Sequence, residues 1–523
     1  MGSYSIYTLV IKSVGKMSLR VFMSDSELVY AAPTEGEPPH LGELFVLRSR
    51  DRSVLLKVVG HGYVSTIRSE LLAMMSRDWD NAEPVQLTYN GSPTTFVAKL
   101  KPLIERTPNT LRPVRSAIPP GTELHRAGGE DLAFIQRNTG LFLGHVRSGY
   151  SVLPVELRLD PLRVVTEHVL VAASTGRGKS NLLKVLLWSL LESPKLGVFV
   201  VDPHREYYSA LIDHPQAQEN LVCFSPNPKP GEVKLAINTR LIRPYHLNGV
   251  ISLSEAQERE AYLLYREFRE DWVEQLLVGE ESEPSVKRFG EDDLDHGARV
   301  ARATLSRKLM RLLAVNGEST RGVFRLPVSV DKGDIDGSDF LDRVFEEVES
   351  RKVVVVDTSN LSEDAELLVG NMVAYMILDR HMRMKQENRP LTPVGFVLEE
   401  APRVLGVDAP ENAYMKLARE GRKFGIGLVA VTQLISVIPE EILANMNTKI
   451  YLGMASGKER RAAIDNALHD LSEEEDELLR LDVGEAIVTS TSLGFPVPIR
   501  IPFIDEIKRV DTPRRARPGE KLV

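Results

Sequence analysis

Three observations in the 523-residue sequence predict an α/β fold: a parallel sheet covered on both faces, preceded by an all-β module and interrupted by helices. The first is the stretch AASTGRGKSN, beginning at Ala172, which follows a strand-length apolar run and precedes a helix-length one. The second is a set of apolar segments, GVFVVDPH, KVVVVDTS, VGFVLEEAP and GIGLVAVTQ, each ending in polar or acidic residues. Strands that are apolar throughout fit a parallel sheet buried on both faces, and ligands gather outside the carboxyl ends of such strands. The third is a change of texture near residue 155, from short β-like runs to alternating strand and helix patterns.

Residues 1–150 read as short strands: YTLVIKS, GELFVLRS, SVLLKVVG, PVQLTYN and TTFVAKL, separated by turn stretches such as PTEGEPPH and YNGSP. This pattern predicts a small barrel or a sandwich, a structural or interaction module without chemistry of its own. Residues 151–249 open the α/β core, with HVLVAAS as a buried strand and KSNLLKVLLWSLLES as a helix with a broad apolar face. Over 250–345 the strands stop. SEAQEREAYLLYREFREDWVEQLL and GARVARATLSRKLMRLLAV predict amphipathic helices, with the acidic GEESEPSVKRFGEDDLD as an exposed loop between them. The core resumes over 346–505. Residues 506–523 end in TPRRARPGEKLV, a basic, proline-containing stretch read as a solvated tail rather than a nucleic-acid arm.

Composition narrows the function classes. The length allows roughly two to four domains of about 150 residues. With 43% apolar and 26% charged residues, the chain can build ordinary cores and carry a soluble surface. The single cysteine, Cys223, excludes an intramolecular disulfide framework and suits a reducing compartment. No apolar run approaches the ~20 residues of a membrane span. The start, MGSYSIYTLV, has no basic segment ahead of an apolar one, and Ile6 stands where a myristoylation signal needs Ser or Thr. The expectation is a cytoplasmic protein without a membrane segment. A net charge of −8 excludes a globally basic DNA-coating protein. It leaves open a nucleic-acid path confined to a groove or a central channel, where local potential decides.

The chemistry concentrates at the predicted strand ends. Ala173 through Ser180 follow the phosphate-loop pattern G-x-x-x-x-G-K-[ST] except that alanine takes the first position, which serves if that residue needs no positive φ. Ser174, Thr175, Gly176, Arg177, Gly178, Lys179, Ser180 and Asn181 are the expected nucleotide-binding residues. Lys179 would reach the β- and γ-phosphates, and the Ser180 hydroxyl would ligate Mg²⁺. Nucleotide hydrolysis needs one carboxylate near the metal and one to polarise the attacking water. Glu399 is assigned to the metal and Glu400 to the water, with Asp357 competing for the metal. Gln433, ending VAVTQ, would bond the γ-phosphate or the water. Among Arg419, Arg422 and Lys423, Arg422 is the expected finger from a neighbouring subunit. Asp202, His204, Arg205 and Glu206 would support the metal site or a subunit contact.

Taken in order, these motifs resemble the HerA family of the FtsK–HerA group of P-loop ATPases. LGHVRSGYSVLPVELRLDPLRVVTEHVLVAASTGRGKSN, which includes His168, is similar to that family's run into its P-loop. VVDPHREY, ISLSEAQEREAYLLY, FVLEEAP, AREGRKFGIGLVAVTQ and LDVGEAIVTS follow in the family's order. Ala173 and Pro402 depart from the usual glycine and histidine. The resemblance implies a RecA-like core behind a HAS-type barrel, a homohexameric ring, ATP and Mg²⁺ at subunit boundaries, double-stranded DNA in the pore and partnership with a NurA-type nuclease in DNA end processing. Two other readings share the motifs: a nucleotide-dependent ring scaffold that activates a nuclease with little translocation, and a related motor that pumps another polymer.

Overall fold

A computed structural model describes residues 17–25, 27–35, 37–65, 94–278, 296–314, 322–326 and 337–511. The expected strands YTLVIKS and PVQLTYN, the acidic loop 279–295 and the tail 512–523 lie outside the described residues. The chain divides into two compact units. One takes in Met1–Thr139, Leu143–Arg158 and Ile450–Ile501; the other takes in Gly140–Phe142, Leu159–Lys449 and Pro502–Val523.

In the first unit, β1 (Ser18–Ser24), β2 (Val29–Glu35), β3 (Leu44–Arg48), β4 (Ser53–Ser65), β5 (Thr94–Arg106), β6 (Leu111–Arg112) and β7 (Glu123–Arg126) run in the order β2-β1-β7-β3-β4-β5-β6. An antiparallel pairing of Val29–Ala31 with Ala98–Leu100 joins β2 to β5 and closes six strands into a barrel. The alternation of side chains builds its interior: Leu19 and Val21, Phe45 and Leu47, Val54, Leu56 and Val58, and Phe96, Ala98 and Leu100 are all buried together. Register shifts at Leu55/Leu56 and Val58/Gly60 bend the long β4–β5 ribbon, as closure of so small a barrel requires.

The same unit holds β8 (Leu141–Ser148) and β9 (Ser151–Leu159). A sheet ordered β20-β21-β8-β9 uses β20 (Glu485–Ser490) and β21 (Val497–Arg500), with β19 (Thr448–Leu452) beside β20. A buried ionic cluster ties the helix Glu475–Arg480 and its cap Glu474 to the barrel. Lys57 on β4, with a side chain 0% exposed, lies 3.0 Å from both Glu474 and Glu477. Arg147 on β8 also pairs with Glu477.

The second unit is the α/β core. Its parallel strands are β10 (Val169–Ala172), β11 (Gly197–Asp202), β12 (Leu221–Ser225), β13 (Val233–Lys234), β16 (Val353–Asp357), β17 (Val394–Leu398) and β18 (Ile426–Thr432), ordered β13-β12-β16-β11-β17-β18-β10. A separate short pair joins β14 (Ile237–Asn238) to β15 (Phe324–Arg325). All five residues of β16 and of β17 are buried, which explains their uninterrupted apolar sequences. Helices α1 (Pro161–Thr166), α2 (Lys179–Glu192) and α3 (Glu206–Leu211) belong to the first half. Gly427 on β18 is required by close approach, because a Cβ there would stand 1.7 Å from the carbonyl oxygen of Val165 in α1.

The helical insertion comprises α4 (Glu255–Phe268), α5 (Trp272–Val278) and α6 (His296–Leu313). Ser254 starts α4 with a capping box, its hydroxyl accepting from Gln257 N–H while the Gln257 side chain accepts from Ser254 N–H. Arg302 on α6 bonds Glu260 on α4, and Ala298, Ala301, Leu305, Leu309 and Leu312 form the buried stripe of α6. The core then continues through α7 (Phe340–Glu349), α8 (Glu363–Gln386) and α9 (Ala413–Glu420), and the chain returns in α10 (Ile504–Asp511).

Candidate functional site

The order β10-β18-β17 decides which residues meet. The strand carrying the phosphate loop is separated from the strand leading to Glu399 and Glu400 by β18, which leads to Gln433. Ala172 is in register with Thr432, and Leu398 with Ala430, so the three strands end at nearly the same height. Ligands bind at such a carboxyl rim.

The loop itself is built for close backbone approach. Gly176 and Gly178 have φ of 75° and 104°, in the region that favours glycine, and nothing lies within 4 Å of a Cβ placed on Gly176. Ala173 is not among the positive-φ residues, and its N–H continues the ladder by donating to Thr432 O at 3.2 Å. Alanine at the first position is therefore accommodated. Lys179 opens α2 and curls back so that Nζ donates to the carbonyls of Ala173 and Ser174 at 3.1 and 3.3 Å. Burial lowers its pKa while the charges of Glu400 and Glu399 oppose that shift. The ammonium and both carboxylates thus face one space.

Gln433 spans that space. The Thr175 hydroxyl donates to Gln433 Oε1 at 2.6 Å, and Gln433 Nε2 donates to Glu400 Oε1 at 3.5 Å. Glu400 is exposed and holds φ at 49°, an uncommon conformation for a residue with a Cβ, which turns its carboxylate at the strand end. Glu399 is more enclosed. Burial, reinforced by Glu206 and Asp202, pushes its carboxyl up to about 7, with His204 pulling the other way. A cavity of about 410 Å³ opens beside it, lined in part by His204, Glu366, Glu399, Glu400 and Arg403. Among the described residues no group of three His, Cys, Asp or Glu is arranged to hold a metal ion by itself. Mg²⁺ characteristically takes only one or two protein carboxylates and completes its shell with water and substrate phosphates, and the crowded carboxylate of Glu399 is compatible with that.

Other expected residues have different surroundings. Asp357 is 2% exposed, and its carboxylate accepts from Ser225 Oγ and from the N–H and hydroxyl of Ser359, with Arg205 3.3 Å away. It lies on β16, beyond β11 from β17. Asp202 accepts from the N–H groups of Glu206, Tyr207 and Tyr208 and so starts α3; burial nevertheless raises its carboxyl to about 6. Arg205 is committed to Glu232 and Asp357. The Asn181 amide turns to the 502–504 segment instead of the loop, donating to Pro502 O and accepting from Ile504 N–H.

Arg422 lies at the other end of the sheet. It precedes β18, whereas Gln433 follows it, and seven strand residues separate the two ends by roughly 20 Å. Its side chain is 60% exposed and bonds Glu167 at 2.9 Å. Arg419 pairs with Glu411 and Glu441, and the Lys423 carbonyl accepts from Lys385. None of the three approaches the phosphate loop of its own chain.

Residues 141–377 match the family model described as Helicase HerA, central domain. The chain is 28% identical over 444 residues to the DNA double-strand break repair helicase HerA of Sulfolobus acidocaldarius, covering 80% of each chain. The chain is similar to HerA helicases over most of its length. A second relative, the DNA double-strand break repair helicase HerA of Pyrococcus furiosus, is 24% identical over 518 residues, covering 89% of this chain and 88% of that one. Among solved structures, plasmid coupling protein TrwB in complex with ADP and Mg²⁺ overlaps 72% of this chain and 92% of its own, with a TM-score of 0.46 and 16% identity. Here Pro402 takes the first position of the short helix Pro402–Leu405, where its fixed φ and missing N–H cost nothing. Arg403 then reaches Glu363 and Asp364 at the start of α8. Glu366 and Arg403 were not singled out by sequence because neither sits in a strand-end motif.

Proposed function

We propose that this chain is an ATP-hydrolysing motor that drives duplex DNA through the pore of a homohexameric ring, working in DNA end processing with a NurA-type nuclease. The observation that carries the reading is the Thr175–Gln433–Glu400 hydrogen-bonded chain, which links the phosphate loop to a carboxylate through the strand between them.

The residues fit the nucleotide and its metal. The open space over Gly176 and the N-terminus of α2 suit phosphate oxygens. The crowded carboxylates around Glu399 favour a cation. Backbone N–H groups from Ser174 to Ser180 would cradle the phosphates, with Arg177 and Asn181 flanking them, and Lys179 would neutralise the β/γ end. Ser180 and Glu399 would hold Mg²⁺, which would supply charge neutralisation on the phosphates. Glu400 would orient the attacking water and accept its proton. Gln433, already bonded to Glu400 and Thr175, would exchange those bonds for the γ-phosphate or the water, so that its orientation reports hydrolysis. Arg422, remote from its own loop, would serve the site of an adjacent subunit. Loss of these contacts after cleavage changes which subunit arrangement is favoured. A motor that grips phosphates needs no base sequence. Among the described residues no helix is long and apolar enough to cross a membrane.

ATP turnover with and without duplex DNA, at low and high salt, tests the proposal. DNA should stimulate turnover, the stimulation should fade as salt rises, and Lys179→Ala should abolish turnover in every condition. Turnover indifferent to DNA would refute the DNA motor and favour the scaffold reading. Near-normal turnover in Lys179→Ala would remove the site.

A further inference from the structure

We propose that helix α6 is a contact site for the phosphate backbone of duplex DNA, with Arg307 and Arg311 on its exposed face gripping the phosphate oxygens. The inference rests on the DNA-motor reading and adds a DNA contact on the helical insertion, outside the nucleotide site.

Helix α6 differs from its surroundings in charge. Its 18 residues carry Arg299, Arg302, Arg307, Lys308 and Arg311 and no Asp or Glu. The whole chain has a formal net charge of −8, and every other described helix of eight or more residues contains at least one carboxylate. Helix stability does not explain the pattern. The helix dipole favours acidic residues in the first turn and basic ones in the last. The first turn of α6 has no acid, and two of its arginines, Arg299 and Arg302, lie in its N-terminal half.

The basic side chains divide by what they touch. Arg302 bonds Glu260 on α4 at 2.8 Å, and Lys308 donates to Ser252 O at 2.6 Å and to Gln257 Oε1 at 2.9 Å. Both are used within the fold. Arg307 and Arg311 are exposed and have no carboxylate partner among the described residues. Arg307 bonds only atoms of its own helix, Ala303 O at 3.3 Å and Thr304 Oγ1 at 3.4 Å. Arg311 makes no hydrogen bond or ion pair among the described residues. Helical spacing puts Val300, Thr304, Arg307 and Arg311 on one face, turned away from the buried stripe of Ala298, Ala301, Leu305, Leu309 and Leu312. Arg307 and Arg311 stand one turn apart, about 6 Å along the axis. Guanidinium groups match the fork geometry of phosphate oxygens. Duplex DNA presents phosphates at regular intervals, so one backbone can engage both arginines without regard to base sequence.

The test reads the salt dependence of binding. The full-length protein is titrated into a fluorescently labelled duplex over a series of salt concentrations. Arg307→Gln combined with Arg311→Gln removes two phosphate contacts and should reduce the slope of log K against log salt by about 2. Each single substitution should reduce it by about 1, which protects the test if the pair misfolds. Arg307→Lys with Arg311→Lys keeps both charges and should keep the slope. Lys195→Gln with Arg461→Gln removes two exposed cations from other elements and should also leave it unchanged. ATP turnover without DNA should be the same in every variant. An unchanged slope in the Arg307 and Arg311 glutamine variants overturns the proposal, as does an equal fall in the Lys195 and Arg461 pair. A lower native mass in the Arg307 and Arg311 variants also overturns it, by assigning the face to a second copy of the chain. If the unmodified protein binds no duplex, the DNA reading fails and this contact with it; if it binds duplex and the α6 substitutions change nothing, only the α6 contact fails.

Discussion

Replacing Arg422 by alanine tests whether the proposed nucleotide site is completed by a second subunit. Within its own chain the side chain makes one exposed ion pair, with Glu167 at 2.9 Å. Such a pair is worth about 0–1 kcal/mol, so thermal stability should fall by no more than a few degrees. The effect on chemistry should be far larger. A guanidinium supplied to a transferring phosphoryl group contributes ~10³–10⁵ in rate, or roughly 4–7 kcal/mol. The roughly 20 Å of β18 between Arg422 and the Gln433 end excludes that contribution in cis. Steady-state ATP turnover and ATP binding are measured on Arg422→Ala, on Glu400→Gln and on equal mixtures after subunit exchange. Each single variant should bind ATP and turn over little. In a random ring, about a quarter of the head-to-tail interfaces pair an intact Glu400 with an intact Arg422, so the mixture should recover a comparable share of activity. Wild-type turnover by Arg422→Ala alone, or no recovery in an exchanged mixture, refutes the in-trans assignment.

Three further outcomes follow from the packing. Lys57→Met removes the buried cation that Glu474 and Glu477 share, leaving Arg147 on Glu477 and Lys101 on Glu474, and should destabilise the barrel-containing unit by up to ~3–5 kcal/mol in denaturant titrations; a loss below ~1 kcal/mol would show the cluster to be energetically neutral. His168 is buried, its Nδ1 accepts from Leu428 N–H at 2.9 Å, and burial together with the Arg422 charge lowers its pKa to about 4. The unfolded chain takes up a proton near pH 6.5 while the folded chain does not, so stability is full above that pH and falls by up to ~3 kcal/mol as pH drops towards 4. His168→Asn, which tolerates the left-handed backbone at φ 63°, should flatten that slope, and an unchanged slope would be the contrary result. Gly427→Ala forces a Cβ against the Val165 carbonyl and should cost at least ~1–3 kcal/mol by thermal unfolding; wild-type stability would contradict the close approach.

The phosphate loop was legible because its chemistry resides in consecutive residues. Gly176, Gly178, Lys179 and Ser180 act through local backbone geometry and the helix that follows, and both are written in a ten-residue window. The buried parallel strands were legible for a similar reason, since β16 and β17 must be apolar at every position. The β-module was legible as the strands of a small barrel or a sandwich, but not which strands close it, because closure depends on Val29–Ala31 finding Ala98–Leu100 across some seventy intervening residues. Nor could spacing rank Asp357 against Glu399, since strand order places one beyond β11 and the other next to β18.

The sequence alone determined that a phosphate-binding loop sits between a strand and a helix, that acidic and amide residues end neighbouring core strands, and that an all-β module precedes them. These are short-range properties, set by residue type and period. Only the tertiary structure decided that Thr175, Gln433 and Glu400 form one hydrogen-bonded chain, that Arg422 faces away from its own loop, and that Asn181 clasps the segment bearing Phe503. Those juxtapositions depend on strand order and crossover connections, and contacts between residues hundreds of positions apart leave no periodic trace in the chain.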